Sequence, residues 1–185
     1  MLDEIQKEMR RKMKHTLEVV VEELAAVRTG RASGDLLNTV MVDYYGTLTP
    51  LPQLATVNAP DSQLLLVTPY DPSSVKAIEK AINGAGMGLN STADGSSIRV
   101  PIPILTEERR KEMVKHVRKL GEDGRVAVRN LRRDSNEQIK KLEKEKEVSQ
   151  DEARDAMDAV QKDTDGHIKK LDELIKQKET DLMTV

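Results

Sequence analysis

Apolar side chains return every three or four positions at Ile5, Met9, Met13, Leu17, Val20, Val21, Leu24 and Val27, which predicts one amphipathic helix over residues 2–29. It is expected to stop at Thr29-Gly30, because glycine is the usual residue beyond a helix end. The period resumes after Thr106, a cap candidate, with Met113, Val117, Leu120, Gly124, Ala127, Val128 and Leu131 on one stripe and a helix reaching to about Glu147. Ser149-Gln150-Asp151-Glu152 has the capping-box pattern, with Val148 and Ala153 placed as a hydrophobic staple. A third helix is therefore expected from 149 to about 182, through Met157, Val160, Ile168, Leu171, Leu174, Ile175 and Leu182. None of the three can bury its stripe alone, and one tight turn makes the last two antiparallel; a three-helix bundle is the simplest packing.

Residues 31–104 read differently. Strand signals lie at Thr39–Tyr45, at Leu64–Thr68, and at Ser97–Val100 after an Asp94-Gly95 turn. One helix interrupts them, with Asp71 as its N-cap, Pro72 in its first turn, and Val75, Ile78 and Ile82 on one face. All seven prolines and six of the ten glycines fall in this stretch, with Gly30 just before it, yet only 10 of the 62 charged residues do. The composition shift marks an inserted domain. The expected fold is α+β: a bundle from residues 1–30 and 105–185 carrying a small β/α/β domain at 31–104.

Composition narrows the chemistry. The 185 residues contain no Cys, no Phe, no Trp and three Tyr, so disulfides, thiolate metal sites and Cys nucleophiles are excluded. The longest aliphatic run, Leu64–Val67, is far short of the roughly 20 apolar residues of a membrane helix. Met1–Ile5 leads into a charged helix rather than an apolar signal segment, so a cytoplasmic address and no membrane partner are expected. His15, His116 and His167 sit in three separate helices without paired spacing, which gives no metal site and no His-based catalysis. Gly84-Ala85-Gly86-Met87-Gly88 follows a helix instead of a strand and lacks the Lys-Ser/Thr of a phosphate loop. No active site and no cofactor are expected.

Charge supplies the one candidate surface. Formal net charge is −2, but residues 109–133 hold ten basic and three acidic groups, a net of +7, whereas residues 134–185 hold 10 basic and 15 acidic. On a helical wheel Lys111, Lys115, Arg118, Arg125, Arg129 and Arg132 gather in one sector, read as lying opposite the apolar stripe. Arginine predominates, as suits bidentate contact with phosphate oxygens. The strip reads either as a nucleic-acid backbone contact or as a solvated face with ordinary helical pairs such as Arg118–Glu122 and Glu122–Arg125. Few aromatics make base stacking a poor mechanism, so structured RNA or a duplex backbone is preferred.

Several stretches carry a resemblance over the whole chain: Arg28-Thr29-Gly30-Arg31-Ala32-Ser33, Tyr44-Tyr45-Gly46-Thr47, Ile98-Arg99-Val100-Pro101, Leu105-Thr106-Glu107-Glu108-Arg109-Arg110-Lys111 and Arg125–Asp134. In these the sequence resembles the ribosome recycling factor family. The resemblance implies an L-shaped molecule with the inserted domain on a two-strand hinge, Thr29, Gly30, Arg31, Ala32 and Ser33 on one side and Pro101, Ile102, Pro103, Ile104 and Leu105 on the other. It implies a non-enzymatic factor, monomeric, that binds the post-termination ribosome and splits it with elongation factor G and GTP. It also implies contact with large-subunit ribosomal RNA at the subunit interface through Arg110, Arg129 and Arg132, with Arg133 adjacent; Lys111, Arg118 and Arg125 join from the strip. Gly121 and Gly124 are expected only to soften the second helix. The competing readings are a helical coiled-coil adaptor with a basic RNA-binding face, its stripes used between chains, and an RNA-processing enzyme, which would need an acid/base or metal site.

Overall fold

In the computed structural model, which describes residues 1–184, the chain divides into two compact units, one of Met1–Arg28 with the segment from Glu107 onward, the other Thr29–Thr106. Val185, included in the expected bundle span, lies outside the described residues.

The first unit is helical: α1 (Leu2–Ala26), α4 (Glu107–Lys144) and α5 (Gln150–Met183). Helix α1 ends at Ala26, with Val27 already extended, slightly before the expected stop. The capping box forms: Glu152 N donates to Ser149 Oγ at 3.2 Å, and Ser149 N donates to Glu152 Oε2 at 2.8 Å. One core cluster joins Met9 and Met13 of α1, Val128 and Ile139 of α4, and Ala153, Ala156 and Val160 of α5. Of the α1 stripe, Met9, Met13, Val20 and Leu24 are buried within this chain, whereas Val21 stays exposed.

Toward the other end of the bundle the helices approach through glycine. A Cβ at Gly121 would lie 2.8 Å from Ile175 Cγ1, and one at Gly124 would lie 3.1 Å from both Leu171 Cδ1 and Val20 Cγ2. These glycines do more than soften a helix, as the wheel alone implied. They leave the space into which Ile175, Leu171 and Val20 pack.

The second unit contains a hairpin of β1 (Met41–Tyr44) and β2 (Thr47–Pro50), a one-turn α2 (Leu51–Leu54), then β3 (Ala55–Asp61), β4 (Leu64–Pro69), α3 (Val75–Gly84), β5 (Thr92–Asp94) and β6 (Ser97–Pro101). Strands β3 to β6 make an antiparallel sheet in the order β3-β4-β6-β5. Leu65 pairs with Val100 and Val67 with Ile98, so alternate residues of the central strands meet Val75, Ile78 and Ile82 of α3 in one buried cluster. Asp71 caps as the sequence predicts, accepting from Ser73 N at 2.9 Å, but the first turn after it is 3-10. Strands β2, β3 and β5 were not anticipated: β5 is three residues long and exposed throughout, and β3 shows five exposed positions among its seven and carries Asn58 and Pro60, without an alternating apolar signature.

Candidate nucleic-acid interface

Helix α4 displays the basic side chains, and its own burial pattern fixes their direction. Val117, Gly121, Gly124, Val128, Ser135 and Ile139 are buried and define the inward row. At about 100° per residue, the strip lies roughly a quarter turn from that row rather than opposite it. The strip therefore does not face away from the core as expected: α5 packs against α4 on that flank, so part of the strip borders a helix–helix seam.

Arg118 Nε donates to Glu179 Oε1 of α5 at 2.9 Å, with Nη2 to Oε2 at 3.5 Å. Arg125, only 25% exposed in its side chain, donates from Nε to Asp172 Oδ1 at 2.7 Å and from Nη1 to Glu122 Oε2 at 3.1 Å. The hydrogen bond to the carboxylate raises both guanidinium pKa values further above the ordinary arginine range. For these two, the positive charge is not uncompensated, as the count along α4 alone suggested.

The other strip members differ. Arg129 Nη1 lies 3.6 Å from Glu122 Oε1 and is about half exposed, while Lys111 Nζ lies 2.9 Å from Glu107 Oε1 within the first turns of α4. The Lys111 ammonium holds the Glu107 carboxyl below its usual range. Half-buried Arg132 donates from Nη1 to the amide oxygen of Gln161 at 3.2 Å, and Arg133 is exposed. Arg110 sits five turns before Val128 on the inward row, half-buried, with its Nε enclosed and without a hydrogen-bond partner. Lys115 and Lys119 are exposed on the outward side of α4. The sequence reading omitted Lys119 from the strip, although a wheel centred on the buried row puts it on the same outer side. Gln161 was also missed, because its role depends on which α5 residue faces Arg132.

Both expected hinge segments run through the second unit. Ala32 N donates to Ser62 O at 2.7 Å and Ile102 N to Gln63 O at 2.8 Å, so both are pinned to the turn between β3 and β4. Ser33 caps a 3-10 turn, Pro101 ends β6, and Ile102 is buried. Gly30 adopts φ +74°, and a Cβ there would meet Leu105 Cγ at 3.0 Å. Both the left-handed backbone and the neighbouring linker therefore favour glycine at this position. Thr29, Arg31, Pro103 and Ile104 are not fixed in strands or helices.

Among the described residues, no group of three or more His, Asp or Glu is arranged to hold a metal ion, and no helix is long and apolar enough to cross a membrane. The groove between α1 and α5 has Leu17, Val21 and Leu174 in its lining and brings no nucleophile and base together.

These features define a class: a mixed helix and sheet protein in two compact units, one built on three long helices and the other on a small sheet. The ribosome recycling factor family profile matches residues 20–183. The ribosome-recycling factors of Staphylococcus epidermidis and Legionella pneumophila are each 50% identical, over 184 and 185 residues, with 100% of both chains covered. A ribosome recycling factor structure determined in solution matches with a TM-score of 0.82 at 40% identity, covering 100% of this chain and 98% of its own. Models for the T. thermophilus ribosome recycling factor and the E. coli elongation factor G bound to the E. coli post-termination complex match at a TM-score of 0.68 and 46% identity, with 100% of each chain covered. The chain belongs to the ribosome recycling factor family, a family of translation factors that are not enzymes.

Proposed function

We propose that this chain binds the post-termination ribosome and, with elongation factor G and GTP, splits it into subunits, acting as a monomer in the cytoplasm. The observation that carries this reading is similarity along the full chain to the T. thermophilus factor, which is described together with elongation factor G on the post-termination complex. GTP is the partner's substrate. The RNA contact is the basic side of α4, where Lys111, Arg129, Arg132 and Arg133 meet the large-subunit backbone at the subunit interface, joined by Arg110 from the start of the inward row. Phosphate contacts of this kind give register and affinity without reading bases. The bundle then wedges against RNA while the small unit moves on its linkers. Bending is confined to the residues not pinned to the β3–β4 turn, Thr29 to Arg31 and Pro103 to Leu105.

Arg132→Ala tests the assignment. Loss of one phosphate contact should lower the slope of log affinity against log salt by roughly one unit. Subunit splitting, followed by light scattering with elongation factor G and GTP, should fail. Thermal stability should stay within about ±0.5 kcal/mol of wild type, as for most surface changes. Lys170→Ala, on exposed α5, should bind normally. An Arg132→Ala chain with unchanged ribosome affinity and salt slope would make the strip a solvated face.

A further inference from the structure

Arg118, Arg125 and Arg132 step along α4 by seven residues; Glu179, Asp172 and Asp165 step back along α5 by the same interval. Seven residues are close to two helical turns, so in an antiparallel pair these positions face each other as successive rungs of one seam. The first two rungs are ion pairs, at 2.9 Å for Arg118–Glu179 and 2.7 Å for Arg125–Asp172. The third is built differently. Gln161, one turn before Asp165, takes up both partners: its Oε1 accepts from Arg132 Nη1 at 3.2 Å, and its Nε2 donates to Asp165 Oδ1 at 2.8 Å. The amide thus stands where a direct arginine–carboxylate contact would otherwise form.

Charge decides what each rung can do. A phosphate approaching Arg118 or Arg125 must displace or share a carboxylate already hydrogen-bonded to the guanidinium. A phosphate approaching Arg132 meets a cation held in place by a neutral oxygen, with its remaining N–H groups available. Resting on the reading of α4 as an RNA-binding face, we propose that Gln161 is a positioning residue of that site, aiming Arg132 while keeping Asp165 off it, and that Glu179 withholds Arg118, and Asp172 together with Glu122 withholds Arg125, from RNA. The α5 side of the seam thereby selects which arginines count as phosphate contacts and keeps the protein from binding RNA indiscriminately.

The test uses the full chain, with vacant ribosomes and a generic RNA duplex as probes, titrated across salt, and thermal melts alongside. Gln161→Glu adds a carboxylate to Arg132; it should lower the log–log salt slope by about one unit on both probes. In that background Arg132→Ala should lower the slope no further, because the contact has already been removed. Glu179→Gln should do the reverse, freeing Arg118, whose carboxylate partner is Glu179, and raising the slope on the duplex by about one unit. Melting temperatures near wild type are expected, since Gln161 is exposed and Glu179→Gln keeps the size and shape of the side chain. A wild-type slope for Gln161→Glu, or a further drop when Arg132→Ala is added to it, would overturn the proposal. So would an unchanged duplex slope for Glu179→Gln. Failure of the wild-type chain to split ribosomes would instead overturn the functional reading, because the duplex titrations do not depend on splitting.

Discussion

Outside positions 31–104 the chain carries 52 of its 62 charged residues and none of its prolines, whereas within them it carries 10 charges and all seven prolines. The helical unit satisfies its backbone internally, so each long helix leaves most of its circumference to charged side chains and needs only a narrow apolar row. Part of that row is made of small residues: Gly121, Gly124, Ser135, Ala153, Ala156 and Thr164 are all buried. The sheet unit satisfies its backbone between strands and must reverse direction repeatedly, which spends residues on turns and concentrates burial in aliphatic side chains such as Leu37, Leu65, Ile78 and Ile98. All three tyrosines are in this unit as well, with Tyr44 and Tyr45 edge to face at 4.6 Å and Tyr44 Oη donating to Asp71 Oδ2 at 3.0 Å. One unit thus presents charge on a long surface, and the other is a compact body with an aliphatic core.

The most severe way to break this comparison is at Leu65, which is fully buried between β4's neighbours and α3's cluster. Leu65→Ala should destabilise the small unit by roughly 2–5 kcal/mol, the range for deleting a buried leucine side chain to alanine. Amide hydrogen exchange read by mass spectrometry should show faster exchange across β3, β4 and β6, with α4 and α5 keeping their protection. Equal acceleration in the helices would mean that the two units unfold as one.

Gly121 sharpens the comparison inside the bundle, because the sheet unit's core depends on filling space and this seam depends on leaving it. A methyl group at 2.8 Å from Ile175 Cγ1 forces Ile175 or the α4–α5 spacing to shift, a strain of roughly 1–3 kcal/mol. Helix propensity returns up to about 1 kcal/mol for Gly→Ala, so Gly121→Ala should be net destabilising. Gly166, in α5 with nothing within 4 Å of its would-be Cβ, should behave oppositely, with Gly166→Ala raising the melting temperature. If both substitutions stabilise in denaturant melts, close approach at Gly121 is not a constraint.

What the sequence disclosed follows from where its signals are local. The three long helices, the Ser149–Glu152 box, the Asp71 cap and the Val75, Ile78, Ile82 face depend on residues within a turn or two of each other, and they appear close to the expected positions. Strand β3 depends on pairing with β4, and Ala55, Asn58 and Pro60 carry no pattern that announces it. The candidate site divides in the same way. That α4 is basic is a local fact, but which arginines meet a partner across the seam depends on α5. A signal for this was present in the matching seven-residue spacings of Arg118, Arg125, Arg132 and of Asp165, Asp172, Glu179; reading it required setting the two helices antiparallel and in register. The glycines at 121 and 124 likewise gain their meaning only when Ile175, Leu171 and Val20 arrive beside them.

The mildest break is at the start of α5, where the helical unit relies on a local device. Ser149→Ala removes the acceptor for Glu152 N and should cost about 1 kcal/mol, the usual loss for an N-cap serine. The Glu152 carboxyl is held below the ordinary glutamate range, first by the backbone N–H of Ser149 and then by the Ser149 hydroxyl. Because its folded pKa lies below the unfolded value, its contribution is present above the unfolded pKa and is lost as pH falls through the folded one. Glu152→Gln should therefore melt at a lower temperature than wild type at neutral pH, and the two melting curves should converge in acid. The melting gap should keep the same sign down to the ordinary glutamate pKa and close only below it. A gap that is constant from neutral pH into strong acid would show that the ionised carboxylate contributes nothing to the cap, and that Ser149 alone starts the helix.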